Sequence, residues 1–239
     1  MENKSIIAVI AIVIILIGGF LYTSSSGATV SAQGASLLEA SPDKVSVYLS
    51  IEAKNKTAQG AKDAHDKILD EAILQLLRIG LERKDIKTVN FNIYPEYDWA
   101  NGKNELKGYI ARQDIIIEIE NFDLVANIVD ASITAGALVS SINFELSQEK
   151  QNEYKAQALE EASKDARKKA EATAKGLGKN IGKLISVQGE EFNYGPIIYY
   201  RADSAGGSVA EAKQAAISLT PTDIEVSASV KVEYKLRSF

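Results

Sequence analysis

From Ile6 to Tyr22 the chain runs seventeen residues without a charge, mostly Ile, Val, Ala and Leu, and this segment decides where the rest of the chain can be. As a helix it is roughly 26 Å long against a bilayer core of about 30 Å, and Thr23 with the small polar residues behind it completes the span. Ile and Val occupy every face, which is wrong for a helix lying on a soluble core. Lys4 precedes the segment and the next basic residue is Lys44. That asymmetry places the N-terminus in the cytoplasm and the remainder outside. An uncleaved, single-pass membrane anchor over residues 1–22 is the favoured reading, with the lipid bilayer as partner of residues 6–22. A cleaved signal peptide, with its small-residue site at Val30-Ser31-Ala32, is the alternative and would leave a periplasmic or secreted domain. Both readings make the domain extracytoplasmic. Residues 23–38, rich in Ser, Gly, Thr and Ala, read as a flexible linker to a domain over 39–239.

Composition narrows the chemistry of that domain. The 239 residues contain no Cys, which excludes disulfides, thiolate metal sites and a cysteine nucleophile. One His, His65, leaves one possible imidazole base. The net charge of −5, from 27 basic and 32 acidic residues, is spread along the chain. Nucleic acid is therefore not an expected partner, because binding it needs clustered Lys and Arg to displace counterions.

Periodicity supplies the fold class. Val45, Val47, Leu49 and Ile51 alternate with polar residues as a half-buried strand. Ala61, Ala64, Ile68, Ala72, Leu76 and Leu77 have helical spacing, and Gly80 ends the helix. Ile86, Val89, Phe91 and Ile93 predict a strand stopped at Pro95, followed by a polar loop from Glu96 to Gly108 that holds Trp99. Tyr109 to Glu120 predicts a long strand, Phe122 to Ala135 a helix closed by Gly136, and Leu138 to Leu146 a strand. Residues 39–147 thus read β-α-β-β-α-β, the split arrangement of ferredoxin-like folds. Residues 148–239 add an α-β-β part. A long helix over Gln148 to Leu177 carries Tyr154, Ala158, Ala162, Ala166, Ala170 and Ala174 as a stripe of small residues. A strand from Lys183 to Val187 follows, then an insertion from Glu190 to Thr222 and a closing strand. In that closing strand Ile224, Val226, Ala228, Val230, Val232, Tyr234 and Leu236 alternate with polar residues. The expected architecture is α+β, an antiparallel or mixed sheet with helices packed on one face.

In order and spacing, five pieces of this chain resemble the SIMPL-domain family of membrane-associated or periplasmic envelope proteins. They are the strand opening at Ser41-Pro-Asp-Lys-Val-Ser-Val, the helix ending Leu81-Glu-Arg-Lys-Asp-Ile-Lys-Thr, and Ile93-Tyr-Pro-Glu-Tyr-Asp with Gly108-Tyr-Ile-Ala-Arg-Gln. The Ala-rich helix running into Ala174-Lys-Gly-Leu-Gly-Lys-Asn-Ile-Gly and the closing Val-x-Val-x-Tyr strand complete the set. The resemblance covers Glu39 to Leu236. It implies an α+β fold, self-assembly into rings with a channel-like interior, and a link to tolerance of oxidative stress. It implies no catalytic residues, and no cofactor is expected.

Each candidate for chemistry has a plainer structural reading. Gly176, Gly178 and Gly182 resemble a dinucleotide fingerprint, but here the order is helix, glycines, strand, which fits a helix C-cap and turn. His65 lies among Asp63, Asp66 and Asp70, yet helical geometry scatters these side chains, and a solvated acidic face is expected. No Gly-x-Ser-x-Gly elbow occurs. The pairs Asp123/Asp130 and Glu160/Glu161 give no reason to converge. An enzyme is therefore not expected.

The aromatic segments carry more. Tyr94, Tyr97 and Trp99 cluster near one expected loop tip, and Ile197, Ile198, Tyr199, Tyr200 and Arg201 lie in the insertion. Tyr, Trp and Arg anchor buried interfaces. Subunit contact in a ring is the favoured role, and folding back over the domain's own core is the alternative. Val209 to Ile217 reads as a short amphipathic helix on the same surface. Asn55-Lys56-Thr57 is an acceptor tripeptide for N-glycosylation, whereas Asn3-Lys4-Ser5 lies on the cytoplasmic side. The expected function is a self-assembling, ring-like and channel-like envelope scaffold at the membrane. A monomeric or dimeric binding module for an envelope polymer or client protein is the alternative.

Overall fold

The computed structural model describes residues 27–100, 103–201, 214 and 221–238. The expected anchor over 6–22 lies outside these residues, as does the expected helix over Val209 to Ile217 apart from Gln214. Among the described residues no helix is long and apolar enough to cross a membrane. The elements, in chain order, are β1 (Thr29–Ala40), β2 (Lys44–Asn55), α1 (Ala58–Arg78), β3 (Ile86–Ala100), β4 (Lys103–Ile119), α2 (Val125–Thr134), β5 (Leu138–Glu145), α3 (Gln148–Gly176), β6 (Asn180–Tyr194), β7 (Ile197–Arg201) and β8 (Ile224–Arg237). They form two compact units that interleave along the sequence. Unit 1 comprises Met1–Leu38, Lys155–Asn193 and Val226–Phe239, and unit 2 comprises Glu39–Tyr154 and Tyr194–Glu225.

Unit 2 holds a five-stranded sheet in the order β3-β4-β2-β5-β7. The ladders β3–β4, β2–β4, β2–β5 and β5–β7 are all antiparallel. The first four strands reproduce the ferredoxin-like order, and β7 extends the sheet beyond β5. Period-two alternation puts Val45, Val47, Leu49 and Ile51 of β2 on one face with Ile115 and Ile117 of β4 and Ile142 and Phe144 of β5. Leu76 of α1 and Val125, Ile128 and Val129 of α2 belong to the same core. Thr57 caps α1, its Oγ1 accepting the Gly60 N–H at 3.1 Å. Gly80, with φ +98°, and Gly136, with φ +93°, adopt the left-handed turn that ends each helix.

Two expected interruptions in unit 2 are continuous strand. β3 passes through Pro95, which pairs with Tyr109, because β3 is a sheet edge and proline's missing N–H costs no ladder bond there. The expected loop from Glu96 to Gly108 is instead the far end of the β3–β4 hairpin. Asn101-Gly102 sits between the two strands, the dipeptide that two-residue hairpin turns favour.

Unit 1 holds a three-stranded sheet in the order β1-β8-β6. The linker expected over 23–38 is therefore corrected from Thr29 onward. That stretch is strand β1, hydrogen-bonded beside β8, whose alternating Val226, Ala228, Val230 and Val232 are buried. Gly34 shows why small residues suit it. A Cβ there would lie 2.0 Å from the Ala162 carbonyl oxygen and 2.3 Å from the Ala166 nitrogen of α3. The stripe Ala158, Ala162, Ala166, Ala170 and Ala174 is wholly buried, so a small-residue helix face meets a glycine on the sheet at backbone distance. The insertion expected from Glu190 to Thr222 begins as strand: β6 continues to Tyr194, and β7 runs from Ile197 to Arg201.

Candidate functional site

The β3–β4 hairpin outruns its neighbour. β2 ends at Asn55, opposite Tyr109, so beyond that point the two strands pair only with each other. Gly108 marks the departure, because a Cβ there would lie 2.6 Å from the Asn55 carbonyl oxygen. A register shift between Glu96 and Tyr97 puts a bulge at the base of this arm. Further out, Tyr97 opposes Leu106, Asp98 opposes Glu105 and Trp99 opposes Asn104. Tyr97 and Leu106 are 54% and 52% exposed, so an apolar cross-strand pair stands in solvent. Asp98 and Glu105 are a directly opposed pair of carboxylates, which weakens a ribbon instead of supporting it. Neither forms an ion pair among the described residues. At the arm's base Lys54 Nζ lies 2.8 Å from Glu96 Oε1. That bond holds the Glu96 carboxyl below the usual range and Lys54 above its own.

Tyr97 is thus exposed on the arm, and Trp99 is on the same strand by register. In β7, Tyr200 pairs with Ile142 and Arg201 with Ser141, while Ile198 pairs with Asn143 and Ile197 with Phe144. Alternation then divides the two isoleucines. Ile198 is 45% exposed, but Ile197 packs against the unit 2 core and is corrected from interface residue to core residue. Tyr199 lies within β7 between them and the strand's end. The arm and β7 lie at opposite edges of the sheet, so the two aromatic segments form separate surfaces. The β4 half of the arm, Glu105 and Leu106, falls in the expected polar loop and is strand instead. In the sequence, the Asn101-Gly102 dipeptide is the hairpin signal that pairs it.

The sheet face opposite α1 and α2 is polar and cross-linked. Glu145 of β5, Lys44 of β2, Glu118 of β4 and Lys87 of β3 alternate in sign, with N···O distances of 2.9, 3.6 and 2.5 Å. Burial alone would lower Lys44, but the bond and charge of Glu145 with the charge of Glu118 leave it raised. The Lys87 bond, with Lys44 beyond it, holds Glu118 low. In the middle of this face the buried Ser46 Oγ and Asn143 Oδ1, on residues paired across β2 and β5, have no protein partner. Tyr194 sits near Lys44 and Glu145, its Oη accepting the Leu146 N–H at 2.8 Å, and burial raises its pKa. A cleft of about 380 Å³ is lined by Lys44, Lys84, Asp85, Glu118 and Asn121.

His65 is corrected from a solvated helix face to the interior. Its side chain is fully buried, Nδ1 lies 3.2 Å from Asp66 Oδ1, and the ring packs on Phe91 with centroids 5.1 Å apart. Its Nε2 has no protein partner. Among the described residues no three His, Asp or Glu gather as a metal site. Asn55 is exposed at the end of β2, and Thr57 of the same tripeptide is committed to capping α1.

A ferredoxin-like sheet with an extra edge strand and a projecting hairpin arm that carries Tyr97 and Leu106 defines an α+β protein. The chain belongs to the SIMPL family, described as a protein of unknown function (DUF541), whose model matches residues 30–234. It is 29% identical over 114 residues to the 26 kDa periplasmic immunogenic protein of Brucella melitensis, covering 46% of each chain. It is 28% identical over 110 residues to the uncharacterized protein YggE of Escherichia coli K12, covering 46% of this chain and 45% of that one. The YggE of Edwardsiella ictaluri is 28% identical over 137 residues, 55% of each chain. The chain spans about half the length of the curated relatives it matches.

Proposed function

We propose that this SIMPL-family protein is extracytoplasmic, anchored by residues 6–22, and that it acts by contact with further copies of itself rather than by catalysis. Copies join through the β3–β4 arm into a closed, ring-like and channel-like scaffold in the envelope. The observation that carries this reading is the arm: a ribbon beyond the sheet with Tyr97 and Leu106 exposed and paired. A two-stranded ribbon is marginal in water without something to pack against, and exposed apolar pairs of this kind mark contacts. The edge strands β3 and β7 of one sheet and β1 and β6 of the other favour closure, because a ring leaves no edge open to unlimited association. The word periplasmic in the name of the Brucella relative supports the compartment.

The test is the absolute mass of the full chain in mild detergent, by light scattering after gel filtration. A single species of several copies, reduced to monomer by Tyr97→Asp with Leu106→Asp, is the expected result. A monomer at every concentration would overturn the reading in favour of a binding module for an envelope polymer or client protein.

A further inference from the structure

Unit 1 has one end where its chain segments meet without an acidic side chain. The helix α3 runs back along β1: Gly34 faces the backbone of Ala162 and Ala166, and Ser36 Oγ donates to the Ala158 carbonyl at 2.8 Å. The start of β1 therefore lies towards the C-terminal end of α3. The close of β8 and the opening of β6 are at the same end. There the Leu236 N–H donates to the Ala28 carbonyl at 2.7 Å, and Lys179 Nζ donates to Ser238 Oγ at 3.1 Å. A Cβ on Gly182 would lie 2.9 Å from the Lys235 carbonyl oxygen.

Residues 27–31, 175–183 and 235–238 make up this end, and they contain Lys175, Lys179, Lys183, Lys235 and Arg237 with no Asp or Glu. Lys175, Lys183 and Arg237 are exposed, and none of them forms an ion pair among the described residues. Leu177, directly after α3, stands among them 64% exposed. A lysine in the last turn of a helix complements the helix dipole, which accounts for Lys175. It does not account for Lys183, Lys235 and Arg237, which are on strands. The other end of the unit has acidic groups: Glu160 and Glu161 close to Ala158 on α3, and Glu191 late in β6, 3.4 Å from Ser229 Oγ.

Chain length says what the basic end is near. Gly27 is five residues beyond Tyr22, where the proposed anchor ends, and five residues reach at most about 18 Å when fully extended. A Cβ on Gly27 would lie 2.7 Å from Lys235 Cε, so a cation lies along the residue at which the chain enters the unit.

We infer that this end of unit 1 rests on anionic lipid headgroups of the membrane that holds residues 6–22, with Lys175, Lys179, Lys183, Lys235 and Arg237 near the phosphates and Leu177 at the interface. The inference rests on the anchor proposed above and adds the surface that meets the lipid. The cations surround the end of the sheet and do not share one face. A charged plane requires only that they come within a screening length of it, about 8 Å at physiological salt. Each Lys or Arg that does so is worth roughly fivefold in binding.

The experiment uses the full chain reconstituted in lipid vesicles. The sequence has no Cys, so one introduced Cys is labelled uniquely. Gly176→Cys puts a fluorophore beside Leu177, where an added side chain meets nothing within 4 Å. Leu37→Cys puts one on an exposed residue roughly 30 Å from Ala28 along β1. Quenching by lipid carrying a spin label on its headgroup reads the distance of each fluorophore from the surface. With about one-third phosphatidylglycerol, quenching at 176 should be at least twofold greater than in phosphatidylcholine alone. Raising NaCl from about 0.05 to about 1 M should remove the difference. So should Lys175→Gln with Lys183→Gln and Arg237→Gln, three exposed positions at which an unchanged melting temperature checks the fold. Quenching at 37 should be weak in both lipids. The inference is overturned if quenching at 176 is equal in the two lipids, if neither salt nor the three substitutions reduces it, or if 37 is quenched as strongly. Flotation separates this from the anchor. A chain that floats with phosphatidylglycerol vesicles but not with phosphatidylcholine overturns the anchor and leaves the basic end supported, and one that floats with neither overturns both.

Discussion

Replacing Gly34 by Ala tests how unit 1 is packed. The added carbon would sit 2.0 Å from the Ala162 carbonyl oxygen, 2.3 Å from the Ala166 nitrogen and 2.8 Å from the Ala166 Cα. All three are backbone atoms, so no side chain can swing away. An ordinary carbon–oxygen contact is roughly 3.3 Å, so α3 must retreat by more than 1 Å (about 3.3 less 2.0) or β1 must bend. A gap of about 1 Å already forfeits up to half of a dispersion contact, and the retreat is felt along the buried alanine stripe. Overpacking typically costs about 1–3 kcal/mol, and a clash confined to backbone belongs at the top of that range. At roughly 2–4 °C per kcal/mol for a chain of this size, Gly34→Ala should melt about 6–12 °C below wild type by circular dichroism. Gly176→Ala is the control. It lies in the last turn of the same helix with nothing within 4 Å of its added carbon, and should stay within about 0.5 kcal/mol of wild type or gain slightly. A Gly34→Ala protein melting within 2 °C of wild type, or a control losing as much as the test, would refute the close approach of β1 and α3.

Other expectations concern unit 2. Glu118 is held low by Lys87 and Lys44, so its contribution is present above the unfolded carboxylate value of about 4.3 and disappears as pH falls through the lower folded value. Glu118→Gln should therefore be less stable than wild type by about 1 kcal/mol near pH 6.5, and denaturant titrations should show the gap closing towards pH 3. A gap that widens in acid would show the sign to be wrong. His65→Leu removes a buried nitrogen without a protein partner, so a melting temperature equal to or above wild type is expected. A loss beyond about 1 kcal/mol would mean that Nε2 has a bound partner, such as a buried water. Ile197→Asp puts a charge against the core and should cost about 3 kcal/mol or more, whereas Ile198→Asp should stay within about 0.5 kcal/mol. Equal losses in urea would contradict the alternation of β7.

The β-α-β-β-α-β order was readable along the chain because each element buries one face, and that face leaves a period of two or 3.6 residues in the sequence. β2, α1, β4, α2, β5, α3 and β8 leave such a period in the sequence, and Gly80 and Gly136 mark the ends of the first two helices. The family was readable too, from the order and spacing of its segments. The arm was half readable: its aromatics stood out, but the strand that carries them was hidden, since a ribbon exposed on both faces has no burial period to leave.

What only the tertiary structure decided follows from contacts that are distant in sequence. Gly34 sits in a stretch with the composition of a linker, and it becomes a strand residue because β8, some two hundred residues later, supplies its hydrogen bonds and α3 comes within backbone distance. His65 lies in an acidic run that reads as solvated, and Phe91 of β3 covers it. Ile197 and Ile198 are chemically identical neighbours that β5 sorts into core and surface by pairing. Local sequence sets the period of an element and so the face it must bury. It does not specify which other element buries that face, because the choice rests on pairings whose partners lie far along the chain.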